Sequence, residues 1–118
     1  MTINNFSYIN TAYGFDIGDE ILINISEILK NHFESDTLCK INSDEFALVF
    51  NKKIDISEKI IEIQNFFMKN LINVGKIKLN ITFSYGAVCG KDNLLRKASS
   101  ALKEAKENGK NRFVIFEE

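Results

Sequence analysis

Apolar and polar positions alternate along this chain with two periods, and the periods mark its elements. In "DIGDEILINISEILKNHF" the residues Ile21, Leu22, Ile25, Ile28, Leu29 and Phe33 recur at helical spacing. Asp16 and Asp19 load the N-terminal turn with the negative charge that a helix dipole favours. A helix over about 17–33 is predicted, preceded by a shorter one in "NFSYINTAY" that stops at Gly14. "TLCKI" and "EFALVF" read as two strands joined at Asn42-Ser43-Asp44, a hairpin. Asp55 and Glu58 form a capping box before "KIIEIQNFFMKNLI", a helix expected to end near Asn73–Gly75. "KIKLNITFSYGAVC" alternates around β-branched and aromatic residues and predicts one long strand. Asp92 is the expected cap of "NLLRKASSALKEAKEN", which stops at Gly109, and "RFVIF" is a final strand.

Only "MTIN" is left for an opening strand, so the sequence is expected to begin partway into its natural domain. A hairpin set between helical crossovers implies one α/β (α+β) domain over residues 1–118, with a mixed five-stranded sheet flanked by helices.

Composition narrows the classes. A chain of 118 residues with 45% hydrophobic residues buries enough surface for one core and is not disordered. No apolar run approaches the ~20 residues of a membrane helix, and the N-terminus lacks the pattern of a signal peptide. Cys39 and Cys89 lie in strand-like runs and are expected to be reduced, buried and small-apolar in role, which implies a cytoplasmic setting.

The net charge of −1 hides an asymmetry: residues 1–59 carry −5 and residues 60–118 carry +4. The basic excess gathers in Arg96, Lys97, Lys103, Lys106, Lys110 and Arg112. A nucleic-acid binder would carry a larger overall excess, so a solvated helix face and a phosphate site are the two readings. The adjacent carboxylates Asp44 and Glu45 at the hairpin tip raise a parallel choice between a polar turn and a metal site. His32, the one histidine, reads as an exposed helix residue.

Four fragments, in order and on the predicted elements, resemble the GGDEF domain of diguanylate cyclases. "NNFSYINTAYGFDIGDEIL" keeps Phe6, Ile9, Asn10, Gly14, Gly18 and Asp19 of the family's F-K-x-I-N-D-x-x-G-H-x-x-G-D pattern. "NSDEF" keeps Asp44, Glu45 and Phe46 of the signature loop. "FSYGAV" stands for the family's VSIGIA strand, and "ASSALKEAKENGKNRFVIF" for its last helix and strand.

The resemblance implies a fold like the palm of nucleotide cyclases and polymerases. It also implies a reaction in which each of two GTP molecules, held on facing domains, attacks the α-phosphorus of the other through its 3′-hydroxyl to give cyclic di-GMP. Carried over by position, Asn10 and Asp19 would bind guanine, their alternative being to cap the two early helices. Leu22, Asn42 and Ser43 would also line the nucleotide. Lys106 and Lys110, one helical turn apart, would face the outer phosphates together.

The family's magnesium rests on a first-strand aspartate and a loop carboxylate. The loop residue is Asp44, with Glu45 beside it as a vestigial catalytic acid, but the strand positions fall at Thr2 and Asn4. A further family lysine is Ser7, and the signature glycines are Asn42 and Ser43. Magnesium would then be held weakly, by Asp44 and the triphosphate alone. Of the family's R-x-x-D inhibitory site, Asp36 is present, while Phe33 or Glu34 stands at the arginine position.

The expectation is a degenerate GGDEF domain cut from a larger multidomain signalling protein. It would act as a regulatory, GTP-sensing or dimerisation module, as a homodimer or beside an EAL phosphodiesterase domain, without nucleic-acid or membrane contact. The rival is an active diguanylate cyclase.

Overall fold

A computed structural model describes residues 1–117. The elements run β1 (Thr2–Ile3), α1 (Phe6–Tyr13), α2 (Phe15–His32), β2 (Thr37–Asn42), β3 (Glu45–Val49), α3 (Ile56–Lys69), β4 (Ile72–Val74), β5 (Ile77–Leu79), β6 (Phe83–Cys89), α4 (Leu94–Glu107) and β7 (Phe113–Glu117). The main sheet has five strands in the order β2-β3-β1-β6-β7. Only the β6–β7 pair is parallel, so the sheet is mixed, as expected.

The strand β1 holds the sheet together with two residues. Thr2 is paired with Glu45 on one side and with Ser84 on the other, and Ile3 with Phe83. Met1 extends the ladder: its N-terminal nitrogen donates to the Phe46 carbonyl at 2.8 Å, and the Phe46 N–H donates back to Met1 at 2.8 Å.

The alternation of β6 separates two layers. Phe83, Tyr85 and Ala87 join one apolar cluster with Ile21, Ile25 and Leu29 of α2 and with Ile60, Ile63 and Phe67 of α3. The ring of Phe67 meets that of Phe83 edge-on, with centroids 4.8 Å apart. The opposite face is turned to α4. A Cβ built on Gly86 would lie 2.1 Å from the Leu102 backbone nitrogen and 2.3 Å from the Ala98 carbonyl oxygen, so glycine is what lets α4 lie against the strand.

Three expectations about elements fail. The third helix stops at Lys69, not near Asn73–Gly75. Asn70 leaves the helical region, and its side chain and backbone N–H both donate to the Phe66 carbonyl. Beyond it, Ile72 and Val74 are buried with Asn73 exposed between them, a period of two. The expected long strand is two strands. Gly75, at φ +60, turns Val74 back onto Ile77, so β5 pairs with β4 in a separate hairpin packed on α2. Buried Ile81 then redirects the chain into β6.

The cap of α4 is Asn93, at φ 53, rather than Asp92. By contrast, Asp55 caps α3 as expected, accepting from the Glu58 N–H at 3.1 Å. The cysteines are free but exposed, not buried: Cys39 lies on the edge strand β2 and Cys89 at the end of β6. His32 is exposed at the end of α2, with its ring 4.9 Å from that of Phe66.

Two tests follow from this packing. Gly86→Ala forces the α4 backbone away from β6 and should cost about 1–3 kcal/mol, read as a lower midpoint in urea unfolding. An unchanged midpoint would contradict the close approach. The Met1 ammonium is lowered from 8.0 to about 6 by burial, against the opposing pull of Glu45. Between those values the unfolded chain holds a proton that the folded chain has released, so stability rises with pH across that window, by about 2 kcal/mol. Urea unfolding at pH 5.5 and 8.5 should show the rise, and acetylation of the Met1 nitrogen should remove that part of it.

Candidate nucleotide site

The β2–β3 hairpin closes through Ser43 and Asp44, with Asn42 opposite Glu45 and a register shift between Lys40 and Asn42. None of Asn42, Ser43 and Asp44 has a positive φ, so the turn forms here without glycine. Its geometry is held from β1. The Thr2 hydroxyl donates to the Asp44 carbonyl at 3.1 Å, and the Ile3 N–H reaches the same oxygen at 2.9 Å. The Asn42 amide reaches the Glu45 carboxylate at 3.5 Å.

Thr2, Asn4 and Ser84 are the buried polar residues of this face, with Ser84 wholly inaccessible. Thr2 is satisfied by the Asp44 carbonyl, and Asn4 and Ser84 belong to one hydrogen-bonded chain. The Asn111 N–H donates to the Ser84 oxygen at 3.1 Å, and the Ser84 hydroxyl donates to Asn4 Oδ1 at 2.8 Å. Asn4 Nδ2 then donates to the Thr82 hydroxyl at 3.0 Å. The chain is neutral throughout, and it ties the turn after α4 to the first strand. Sequence reasoning missed Ser84, Thr82 and Asn111. The signal was present in part: Ser84 is a polar residue on the inward face of a strand whose alternate positions are aromatic.

A second group forms between α1 and α2. Asn10 and Asp19 cap neither helix; the N-caps are Asn5 and Gly14. The Asn10 side chain lies on α2 at Gly18, where a Cβ would come within 1.9 Å of Asn10 Oδ1. That oxygen is buried and, among the described residues, lacks a hydrogen-bond partner. Asp19, next in the chain, is exposed, and Leu22, one turn from Gly18, is buried.

The third group lies at the C-terminal end of α4. Lys106 is in the last turn and exposed, whereas Lys110 lies beyond the helix at φ 60. The two lysines are therefore not one turn apart on a single helix. The helix ends at Glu107, and the Lys110 N–H closes the turn on the Ala105 carbonyl at 3.2 Å. Ser7, at the position of the further family lysine, is exposed on α1.

Elsewhere, Phe33 is core and Asp36 is occupied in structure. Asp36 accepts from the Asn51 N–H, and its own N–H donates to Val49, closing the open end of the hairpin.

A model of the family described as "Diguanylate cyclase, GGDEF domain" matches residues 1–112. This chain belongs to the GGDEF family. The domain is 30% identical to a diguanylate cyclase/phosphodiesterase structure from Caldicellulosiruptor saccharolyticus, with a TM-score of 0.89 over 98% of this chain and 72% of that one. It shares its fold, at a TM-score of 0.84 and 20% identity, with the GGDEF domain of DgcB from Caulobacter crescentus, over 97% of this chain and 73% of that one.

Among curated relatives, it is 28% identical to Diguanylate cyclase A of Treponema denticola, over 96% of this chain and 33% of that protein. It is 24% identical to the bifunctional diguanylate cyclase/cyclic di-GMP phosphodiesterase MucR of Pseudomonas aeruginosa, over 99% of this chain and 18% of that protein. The chain thus spans a third or less of the length of these two relatives. Among the described residues no helix is long and apolar enough to cross a membrane.

GGDEF cyclases use magnesium and GTP. The donors present here do not fit a magnesium site built on carboxylates from both the first strand and the loop. Thr2 and Asn4 offer no charge, and their polar atoms are engaged within the protein. Among the described residues no three His, Cys, Asp or Glu side chains group as ligands.

Ser84→Ala tests the neutral chain. It strands the Asn111 N–H and Asn4 Oδ1 and should cost about 1–3 kcal/mol in urea unfolding. The amide of Asn111 should also lose hydrogen-exchange protection, and retained protection would contradict the link.

Proposed function

We propose that this GGDEF domain is a degenerate member of its family, a regulatory module of bacterial cyclic di-GMP signalling that holds GTP without cyclising it. The observation that carries the reading is the Thr2–Asn4 pair, neutral and internally hydrogen-bonded where a metal-dependent cyclase needs anionic oxygen. Asp44 and Glu45 alone leave a divalent ion one carboxylate short, and magnesium binding is correspondingly weak.

Nucleotide retention is supported by the group between α1 and α2. Guanine offers N–H donors along one edge; the Asn10 oxygen, without a partner among the described residues, and the exposed Asp19 carboxylate are acceptors of the kind they need. Leu22 would pack beside the base, Asn42 and Ser43 would line the phosphate side, and Lys106 and Lys110 would supply point charges to the outer phosphates. The setting is cytoplasmic, as a homodimer or beside a phosphodiesterase domain. The two-activity names of MucR and of the Caldicellulosiruptor protein support the latter.

The competing reading is an active diguanylate cyclase. The retention of Asp44-Glu45-Phe46 and the likeness to Diguanylate cyclase A favour it.

Calorimetry with GTP in the absence of metal should show binding that Asp19→Ala weakens roughly tenfold or more, the loss of a charge-assisted hydrogen bond. No heat with the unaltered domain would leave only a structural dimerisation role. Incubation with GTP and magnesium should yield no cyclic di-GMP; production at the rate of an intact cyclase would refute the degenerate reading.

A further inference from the structure

The turn after α4 runs Asn108-Gly109-Lys110-Asn111, and Gly109, Lys110 and Asn111 all have positive φ, at 118, 60 and 49. Of the asparagines in the chain, Asn108 alone is followed by glycine. That pairing is reactive by itself. A backbone nitrogen that attacks the preceding side-chain amide closes a five-membered ring. A Cβ on the attacking residue obstructs the approach, whereas glycine has none and turns freely in φ.

The fold leaves both reacting groups available. Asn108 and Gly109 are exposed. Among the described residues no hydrogen bond holds the Asn108 side chain. The Gly109 N–H reaches only the Lys106 carbonyl, at a long 3.4 Å. At ψ 8 of Asn108 the Gly109 nitrogen is turned away from the side chain, so ring closure requires rotation about one bond at the end of a helix, where fraying is easiest.

Charge favours the attack. Lys106 and Lys110 flank the pair, and the Arg112 guanidinium lies beside Gly109, where a Cβ would come within 2.8 Å of it. The nearby acids are Glu104 and Glu107, and Glu107 lies 4.0 Å from the Lys103 ammonium. The cationic excess stabilises the anionic nitrogen through which the ring forms.

We infer that Asn108 is a site of spontaneous deamidation and isomerisation, a covalent modification that releases the turn after α4. The Gly109 nitrogen gives its proton to solvent base and attacks Asn108 Cγ. The tetrahedral intermediate takes up a proton and expels the side-chain nitrogen as ammonia, leaving a succinimide. Water then opens one of its two carbonyls. Opening at one gives aspartate; opening at the other gives isoaspartate, whose main chain runs through Cβ and is one carbon longer. No oxidant or reductant takes part.

The added carbon falls in a turn pinned at close range. The Lys110 N–H is bonded to the Ala105 carbonyl at 3.2 Å, and the Asn111 N–H to the Ser84 oxygen at 3.1 Å. Isoaspartate therefore draws Asn111 off Ser84 and opens the neutral chain that reaches Asn4. The new carboxylate also meets the negative end of the helix dipole. The inference does not depend on nucleotide binding.

The test is to age the purified domain at neutral pH and follow it by peptide mass spectrometry and by labelling with an isoaspartyl methyltransferase. Conversion of amide to acid should appear at Asn108 before any other asparagine. Asn42 is the sharpest comparison, since it precedes the small Ser43 but its amide is held by Glu45. Asn108→Gln should abolish the labelling. Conversion at Asn108 in the urea-unfolded chain but not in the folded one over the same period would overturn the proposal, and so would another asparagine converting first. In the isoaspartyl chain purified from the aged sample, the Asn111 amide should exchange about tenfold faster or more. Asn108→Asp, which adds the charge without lengthening the backbone, should keep its protection. Retained protection in the isoaspartyl chain, or equal loss in Asn108→Asp, would overturn release by the longer backbone.

Discussion

The domain depends on a ladder two residues long. Thr2 and Ile3 are the hydrogen-bonded link between the β2–β3 hairpin and the β6–β7 pair. Ile3 is nearly inaccessible and belongs to one apolar cluster with Phe46 and Phe83 of the two neighbouring strands. The same short strand, with Asn4 just after it, places the buried polar residues Thr2 and Asn4 where the chemistry of a cyclase would sit. Fold and site therefore share one element, and a change that loosens β1 affects both.

That sharing explains the form of the polar network. A buried carboxylate at Thr2 or Asn4 would need a cation or several donors to offset its desolvation. Neutral residues remove that demand, and Ser84, Thr82 and Asn111 satisfy what remains. The result stabilises the first strand and the turn after α4 while withholding the anionic oxygens on which a divalent ion relies. The proposed recognition of a base edge, by contrast, would need only acceptors on α1 and α2, such as the Asn10 oxygen.

Much of this was legible in the sequence where one period or one cap dominates. Helix α2, with Ile21, Ile25 and Leu29 fully buried, and the Asp55 cap of α3 follow from spacing alone. The hairpin tip at Asn42-Ser43-Asp44 follows from the two flanking strand-like runs, whereas the site roles of Thr2, Asn4, Asn10, Asp19 and Asp44 came only with the family resemblance. The misreadings come from places where tertiary pairing overrode the local pattern. Leu71 and Ile72 prolong a helical repeat, yet Ile72 and Val74 are claimed by a hairpin on α2. The run from Ile77 to Cys89 alternates throughout but changes partners at Ile81. Lys106 and Lys110 have helical spacing on paper, but the helix ends between them. Cys39 resembles a core residue in sequence and is exposed because β2 is an edge strand.

The central claim is electrostatic: the face built on Thr2, Asn4 and Asp44 lacks the charge to hold a divalent ion against a triphosphate. Electron paramagnetic resonance of Mn²⁺ added with GTP to the domain tests it most directly. The account predicts manganese held mainly by the nucleotide, with no tightly bound population that Asp44→Asn removes. A tightly bound manganese signal that disappears when Asp44 is altered would show a working protein metal site and would contradict it.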